Sequence, residues 1–544
     1  LNSQSIELQT AAISHALVIS NFFTEDDVNC YKYFEFALDM IKRMIQMDDN
    51  VYFTDLIKLL NYDVEQNSFF INPNTLINLC LDLIQNFSAS KENLKQLQIL
   101  CDEIVCGYSD EIIESFEIVE KIILTYVKFS MALFSEDDTY DLSNYQIFTN
   151  IGEAFSESDE ILQYFWNLIP SISQTPSGLY SAIVFLNSSF DNVEFYNDKI
   201  NDVSRLLISG LQNSSICIRQ ASSDAISNFA ITQKDEIKEV SNNLLSALIV
   251  TLSNDQSCDY INAIQNIVNN ISEIGEIFDN IYEVLNSLIK SNDISLMHGS
   301  INCICSLVKH SPNRARYNFD RILELMIGII SDQEGQYEEL KANAINCLSF
   351  LIESSTKLFI RILPSFIKFI VSNLNTKNQD SNILFESLCA YGHLLQNFPS
   401  EVSETVQEVM GILIQIGSQD IEIPEENDEN IFMGDVVDID EQVNNIINVI
   451  TSAIRISCCV LSTYPQLIPE LIGRCFEMIK KQVSVCDSDI VVECSQSCKF
   501  LVEGIVKLGY SEQTKPYLVE IIKIVTDIVS SDNSGSDASG IGFD

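Results

Sequence analysis

Apolar residues recur along this chain at helical spacing and break off at short polar turns. The clearest unit predicts a first helix over Val203–Leu211, a turn over Gln212–Ser215 and a second helix over Ile216–Ala230. In that second helix Ile218, Ala221, Ala225 and Phe229 follow at steps of three, four and four, which lays one apolar face along a 3.6-residue helix. Further second helices are expected to start near Cys258, Ile294, Glu338, Ser381, Val443 and Asp487. Two of them repeat the face, with Leu340, Ala344, Cys347 and Leu351 in one and Val491, Cys494, Cys498 and Leu501 in the other. Most starts lie about 36 to 45 residues apart, the period of stacked helix-pair repeats.

One such pair buries only part of its apolar surface, so neighbouring pairs must stack to complete a core. The pattern therefore predicts an all-α fold, a HEAT-repeat right-handed superhelical solenoid of antiparallel helix pairs. Upstream, Ser5–Phe22 reads as a second helix whose partner is missing, and Tyr33–Met47, Asn74–Phe87, Asn93–Tyr108 and Glu111–Phe134 continue the series. The expected organisation is HEAT-like repeats over 1–134, irregular repeats over 135–200, regular repeats over 201–530 with an acidic insertion at 419–442, and a flexible tail over 531–544. Composition agrees with helices joined by short loops, since 544 residues include only 18 Gly and 10 Pro.

Charge changes the picture more. Against 31 Lys and Arg stand 77 Asp and Glu, a formal net charge of −46. Such a surface repels phosphate backbones and anionic membranes and draws in basic partners; its other reading is simple solubility. No direct nucleic-acid partner and no membrane insertion are expected. No signal-peptide pattern opens the chain and no uncharged apolar run reaches 18 residues, so a soluble intracellular protein, acting as a monomer, is expected. The start at Leu1 reads as a fragment or a trimmed product.

Candidate chemistry is sparse. Among 16 cysteines there is no CxxC pair. Cys303 and Cys305 with His310 fit no zinc spacing and read as core residues. The four histidines, His15, His298, His310 and His393, stand singly, and no nucleophile-elbow, dinucleotide or P-loop motif occurs. No enzyme, cofactor or metal site is expected.

Acids carry the functional expectation. Gln419–Gln442 holds Glu425, Glu426, Asp428 and Glu429 among ten acids with no Lys or Arg, so it reads either as a solvated extended loop or as an electrostatic lure for basic ligands. On the second helices, Asp224 and Asn228 share one flank at i and i+4, and Asp259, Glu386 and Glu493 take comparable places in later repeats. Singly each reads as a surface acid. Together, spaced by one repeat, they form a row that an extended Lys/Arg peptide would meet with charge-assisted hydrogen bonds.

Finally, Leu211-Gln-Asn-Ser-Ser-Ile-Cys-Ile-Arg-Gln-Ala-Ser-Ser-Asp-Ala-Ile-Ser-Asn-Phe-Ala230 resembles the HEAT signature of the importin-beta (karyopherin-beta) family. Asn213 stands at the family's turn Asp, and Arg219 at its Arg, from where it is expected to pair with an acid of the next repeat. Tyr317–Leu323, Glu339–Ser349 and Phe359, then Ile431-Phe-Met-Gly-Asp435 ahead of a helix start at Asp440, resemble in order the large single-subunit importers of ribosomal proteins and histones. Glu493 and Gln9 depart from the pattern at expected Arg positions. The resemblance implies a nuclear import receptor that binds basic localisation signals on its concave second-helix face, with release linked to Ran-GTP. It also implies nucleoporin partners and residence in cytoplasm and nucleus. The competing expectation is a HEAT scaffold subunit of a phosphatase, chromatin or trafficking complex.

Overall fold

The computed structural model describes residues 116–134, 158–291, 293–331, 338–376, 380–420, 433–484, 488–509, 512 and 514–532. Among the described residues there are 22 α-helices, one short 3-10 turn and no strand. The expected helices before residue 111, with Gln9, lie outside the described residues, as do Glu425, Glu426, Asp428, Glu429 and residues 533–544.

The chain divides into two compact units. The first contains α1 (Phe116–Leu133), α2 (Asp159–Ile172), α3 (Pro176–Ser189), α4 (Ile200–Leu211), α5 (Ile216–Thr232), α6 (Ile237–Asn254) and α7 (Cys258–Asn269). The second contains α8 (Ile294–His310), α9 (Phe319–Ser331), α10 (Glu338–Ser354), α11 (Leu363–Asn375), α12 (Ser381–Asn397), α13 (Val406–Gly417), α14 (Met433–Thr463), α15 (Ile468–Val483), α16 (Ser488–Leu508) and α17 (Lys515–Asp532). Residues of the helix Ile277–Leu288 are shared between the two units.

Within each unit the helices alternate between two layers. The B layer packs side by side, α3 on α5 on α7 in the first unit and α8 on α10 on α12 on α14 on α16 in the second. A helices such as α4, α11 and α13 pack against their own B helix and against the next A helix, and α6 packs against α7 and α4. This is the HEAT-repeat arrangement, and the B helices begin at Ile216, Cys258, Ile294, Glu338, Ser381 and Ser488, within a residue of expectation.

Several B helices pass to the next A helix through one short turn opened by proline, Pro312, Pro399 and Pro465. A proline there loses no hydrogen bond, because the first helical N–H groups have no intrahelical acceptor. Neighbouring helices also approach closely. A Cβ on Gly504 of α16 would meet the Leu461 carbonyl of α14 at 2.7 Å, and one on Gly210 would overlap Ser222.

One expectation is corrected. α14 starts at Met433, ahead of the expected starts at Val443 and Asp440, so the acidic segment is helical from residue 433. Asp435 falls in the first turn of that helix, where the positive end of the helix dipole tolerates acids. Within 135–200, α3 is buried along its whole length from Gly178 to Ser189, so it lacks the one-sided apolar stripe that marks its neighbours. Part of α14, Val443–Thr463, is long and apolar enough to cross a membrane, yet 67% of its most apolar stretch is buried inside the fold.

Candidate functional site

The A-to-B turn of the first unit is locked from one repeat to the next. Asn213 Oδ1 accepts from the Ser215 amide at 3.0 Å, and Arg219 Nη1 donates to the Asn213 and Ser214 carbonyls. The same guanidinium reaches across to Asp255 in the turn before α7, with Nη2 at 2.7 Å from Oδ2. Tyr260 also donates to that carboxylate at 2.9 Å. Burial beside this carboxylate pushes the Tyr260 phenol above its ordinary range. The expected Arg219 pairing is thus present, and it is structural.

The acids expected to receive a ligand are placed differently in the two units. In the first, Asp224 and Asn228 lie on the half-buried flank of α5, both against α3. Asn187 Nδ2 donates to Asp224 Oδ2 at 2.8 Å, and Asn228 Nδ2 donates to the Asn187 carbonyl at 2.8 Å. Asp259, on α7, accepts from Gln220 Nε2 at 3.2 Å and Ser257 Oγ at 2.9 Å. Asn270 Nδ2 closes the series by donating to the Ala230 carbonyl. Asp224 and Asn228 thus tie α5 to α3, and Asp259 ties α7 to α5.

In the second unit the outward stripes of the B helices run in register. α8 presents His298, Asn302 and Lys309; α10 presents Glu339, Asn343, Phe350 and Glu353; α12 presents Glu386, Cys389 and His393; of these Lys309, Glu339 and Glu353 are exposed and the rest half-buried. His298 Nε2 lies 2.7 Å from Glu339 Oε1, and His393 Nδ1 lies 2.9 Å from Glu353 Oε1 without hydrogen-bond alignment. Lys309 sits over the Phe350 ring, whose edge meets His393.

Between these pairs lies a middle row, Asn302, Asn343 and Glu386. Glu386 has no hydrogen-bond or ion-pair partner among the described residues, and burial alone pushes its carboxyl up to about 7. The buried Asn343 Nδ2 has no partner either. Further along, Glu493 on α16 accepts from Ser497 Oγ at 3.0 Å and faces Arg455 of α14 at 4.0 Å. Burial raises its carboxyl above the ordinary value while Arg455 and Ser497 pull the other way. The structure does not bring Glu386 and Glu493 together, since α14 lies between their helices.

Sequence reasoning missed Asn187, Asn343 and both histidine–glutamate pairs. Spacing held the signal, because Asn302, Asn343 and Glu386 follow one another at about one repeat. Cys303 is fully buried, and Cys305 Sγ donates to the Asn343 carbonyl at 3.3 Å. Among the described residues no group of three or more metal-ligating side chains is assembled. On the A-helix side, two open grooves run between neighbouring helices. One is lined by Ile208, Asn243 and Val250, the other by Ile367, Lys368, Glu401, Glu404 and Glu408.

No family model matches this sequence, and no curated protein matches it. Solved structures do. Kap121p bound to RanGTP superposes with a TM-score of 0.66 at 12% identity, covering 97% of this chain and 59% of that one. Kap121p bound to Pho4p gives 0.63 at 12%, covering 99% and 60%. The karyopherin Kap121p bound to the SUMO protease Ulp1p gives 0.63 at 13%, covering 97% and 58%. At such identity the likeness is one of fold, and this chain spans about 60% of the length of Kap121p.

Proposed function

We propose that this chain is the cargo-holding part of a nuclear import receptor of the importin-beta type, gripping extended Lys- and Arg-rich segments along its B helices. The observation that carries this reading is the row of carboxyls and amides repeated on successive B helices of a chain with net charge −46. A carboxylate takes an ammonium or guanidinium group in a charge-assisted hydrogen bond. Each exposed pair contributes only about 0.2–1 kcal/mol, so affinity requires several along an extended ligand. The fold likeness to Kap121p supports the reading, since that karyopherin is solved with RanGTP and with Pho4p. A solved Kap121p variant also carries three acid-to-lysine substitutions.

On this reading Glu386 and Glu493 are ligand-facing in the second unit, and Asp224, Asn228 and Asp259 shape the B-helix flank of the first unit. Glu425, Glu426, Asp428 and Glu429 attract basic cargo. Ran-GTP promotes release, nucleoporins carry the receptor between cytoplasm and nucleus, and the receptor works as a monomer without nucleic acid or membrane. A scaffold role in a phosphatase, chromatin or trafficking complex draws support from one observation: the first unit's carboxyls are already satisfied internally.

Fluorescence anisotropy with a Lys-rich localisation peptide tests the proposal. Binding at low salt that weakens on adding salt, and weakens again on adding GTP-loaded Ran, is the expected result. Absence of binding at any salt would leave the scaffold reading standing.

A further inference from the structure

The middle row of the second unit combines an acceptor without a donor, on Glu386, and a buried donor without an acceptor, on Asn343. An unpaired buried donor such as the Asn343 amide costs on the order of 1–3 kcal/mol and calls for a partner that a ligand can supply; the half-buried Glu386 carboxyl is still reached by solvent. Cys305 of α8 links them, since its thiol bonds the Asn343 backbone carbonyl and feels the Glu386 charge. Three consecutive B helices thus meet at one point.

The surroundings are poor in cations. α8 brings Cys305 and Asn302, α10 brings Asn343 and Cys347, and α12 itself adds Cys389. From α14, Arg455 acts on Cys389 and pairs with Glu493, not with Glu386. His298, Glu339, Lys309, Glu353 and His393 sit at the two ends of the stripes, engaged with one another or with Phe350. Glu386 is therefore left uncompensated in a site lined by thiols and amides.

We propose that Glu386 and Asn343 form a socket for one lysine ammonium group of an extended basic peptide, and that filling it releases a proton to solvent. The proposal rests on the basic-cargo reading above. The ammonium donates to Glu386, while the Asn343 amide donates to a peptide carbonyl. Because burial alone holds the free carboxyl near 7, about half of the sites are protonated at neutral pH, and an arriving cation favours the ionised form. The sign follows: the site prefers its ligand above pH 7 and loses it as pH falls. Affinity through this residue drops about tenfold from pH 8 to pH 6 if the filled site stays ionised.

Isothermal titration of the full chain with a peptide of alternating lysine and serine tests this. Runs in phosphate and in Tris, which differ in protonation heat, count the protons. At pH 7 the wild type should release about half a proton per peptide more than Glu386→Gln, and the excess should fade by pH 8. His298 and His393 are present in both proteins and cancel in the difference. Asn343→Ala should weaken binding while retaining proton release. Equal proton counts in wild type and Glu386→Gln, with both binding the peptide, would overturn the socket and spare the basic-cargo reading. Failure of both proteins to bind at every pH would overturn the reading and the socket with it.

Discussion

The B layers of the two units are built on the same repeat, yet one carboxyl of the second, Glu386, is treated as none of the first is. In the first, Asp224 and Asp259 are taken up by Asn187, Gln220 and Ser257, so charge is spent on holding neighbouring repeats together. In the second, thiols and histidines occupy comparable positions, and Glu386 is left without a donor. The lesson is that net charge does not decide which acid can take a ligand. The donors carried by the adjacent helix decide it.

The comparison breaks most visibly at the ion pairs. Arg219→Ala removes two carbonyl contacts and the partner of Asp255 at a half-buried site, and should cost about 2–3 kcal/mol. Faster amide exchange across α5, α6 and α7 would report it. Arg455→Ala, at a longer pair whose arginine is exposed while Glu493 is largely buried, should cost about 1 kcal/mol or less. Equal losses in the two variants would erase the contrast.

Asn187→Ala should cost about 1–2 kcal/mol, because it takes a donor from Asp224 in the buried join of α3 and α5. It should also make the first unit behave more like the second, raising affinity for a lysine-rich peptide by roughly twofold. A gain in affinity without a loss in stability, or the reverse, would uncouple the two roles given to this network.

Glu386→Gln should be the one stabilising change, and its size should depend on pH. With its folded carboxyl raised to about 7, the native state holds a proton that the unfolded chain has released between roughly pH 4.5 and pH 7. Stability contributed by this group is therefore lost as pH rises through that window. The variant should melt about 3–6 °C higher than wild type at pH 8 and within roughly 2 °C of it near pH 5. Melting curves at the two values check the sign.

The repeat was legible wherever a helix shows one face to a core and the other to water. α5, α7, α8, α10 and α12 begin where the periodicity put them, and the Asn213–Arg219 turn behaves as the motif implies. α3 was not legible, because burial on every side removes the polar half of the pattern. The start of α14 was missed for another reason: acids that repel one another in a loop are also tolerated at a helix N-terminus. Position alone put Asp224 and Glu386 in the same class. Separating them required the neighbouring B helix, since an asparagine faces one and an unpaired amide and thiols surround the other.

The most direct test removes the same charge from the two layers of the second unit. Glu386→Gln with Glu493→Gln neutralises two B-helix acids; Glu324→Gln with Glu477→Gln neutralises two exposed acids on α9 and α15. Binding of a lysine-rich peptide at low salt and pH 8 should weaken about five- to tenfold for the first pair and less than about twofold for the second. Equal weakening of both would mean that net charge alone attracts the ligand, and the B-helix face would not be a binding site.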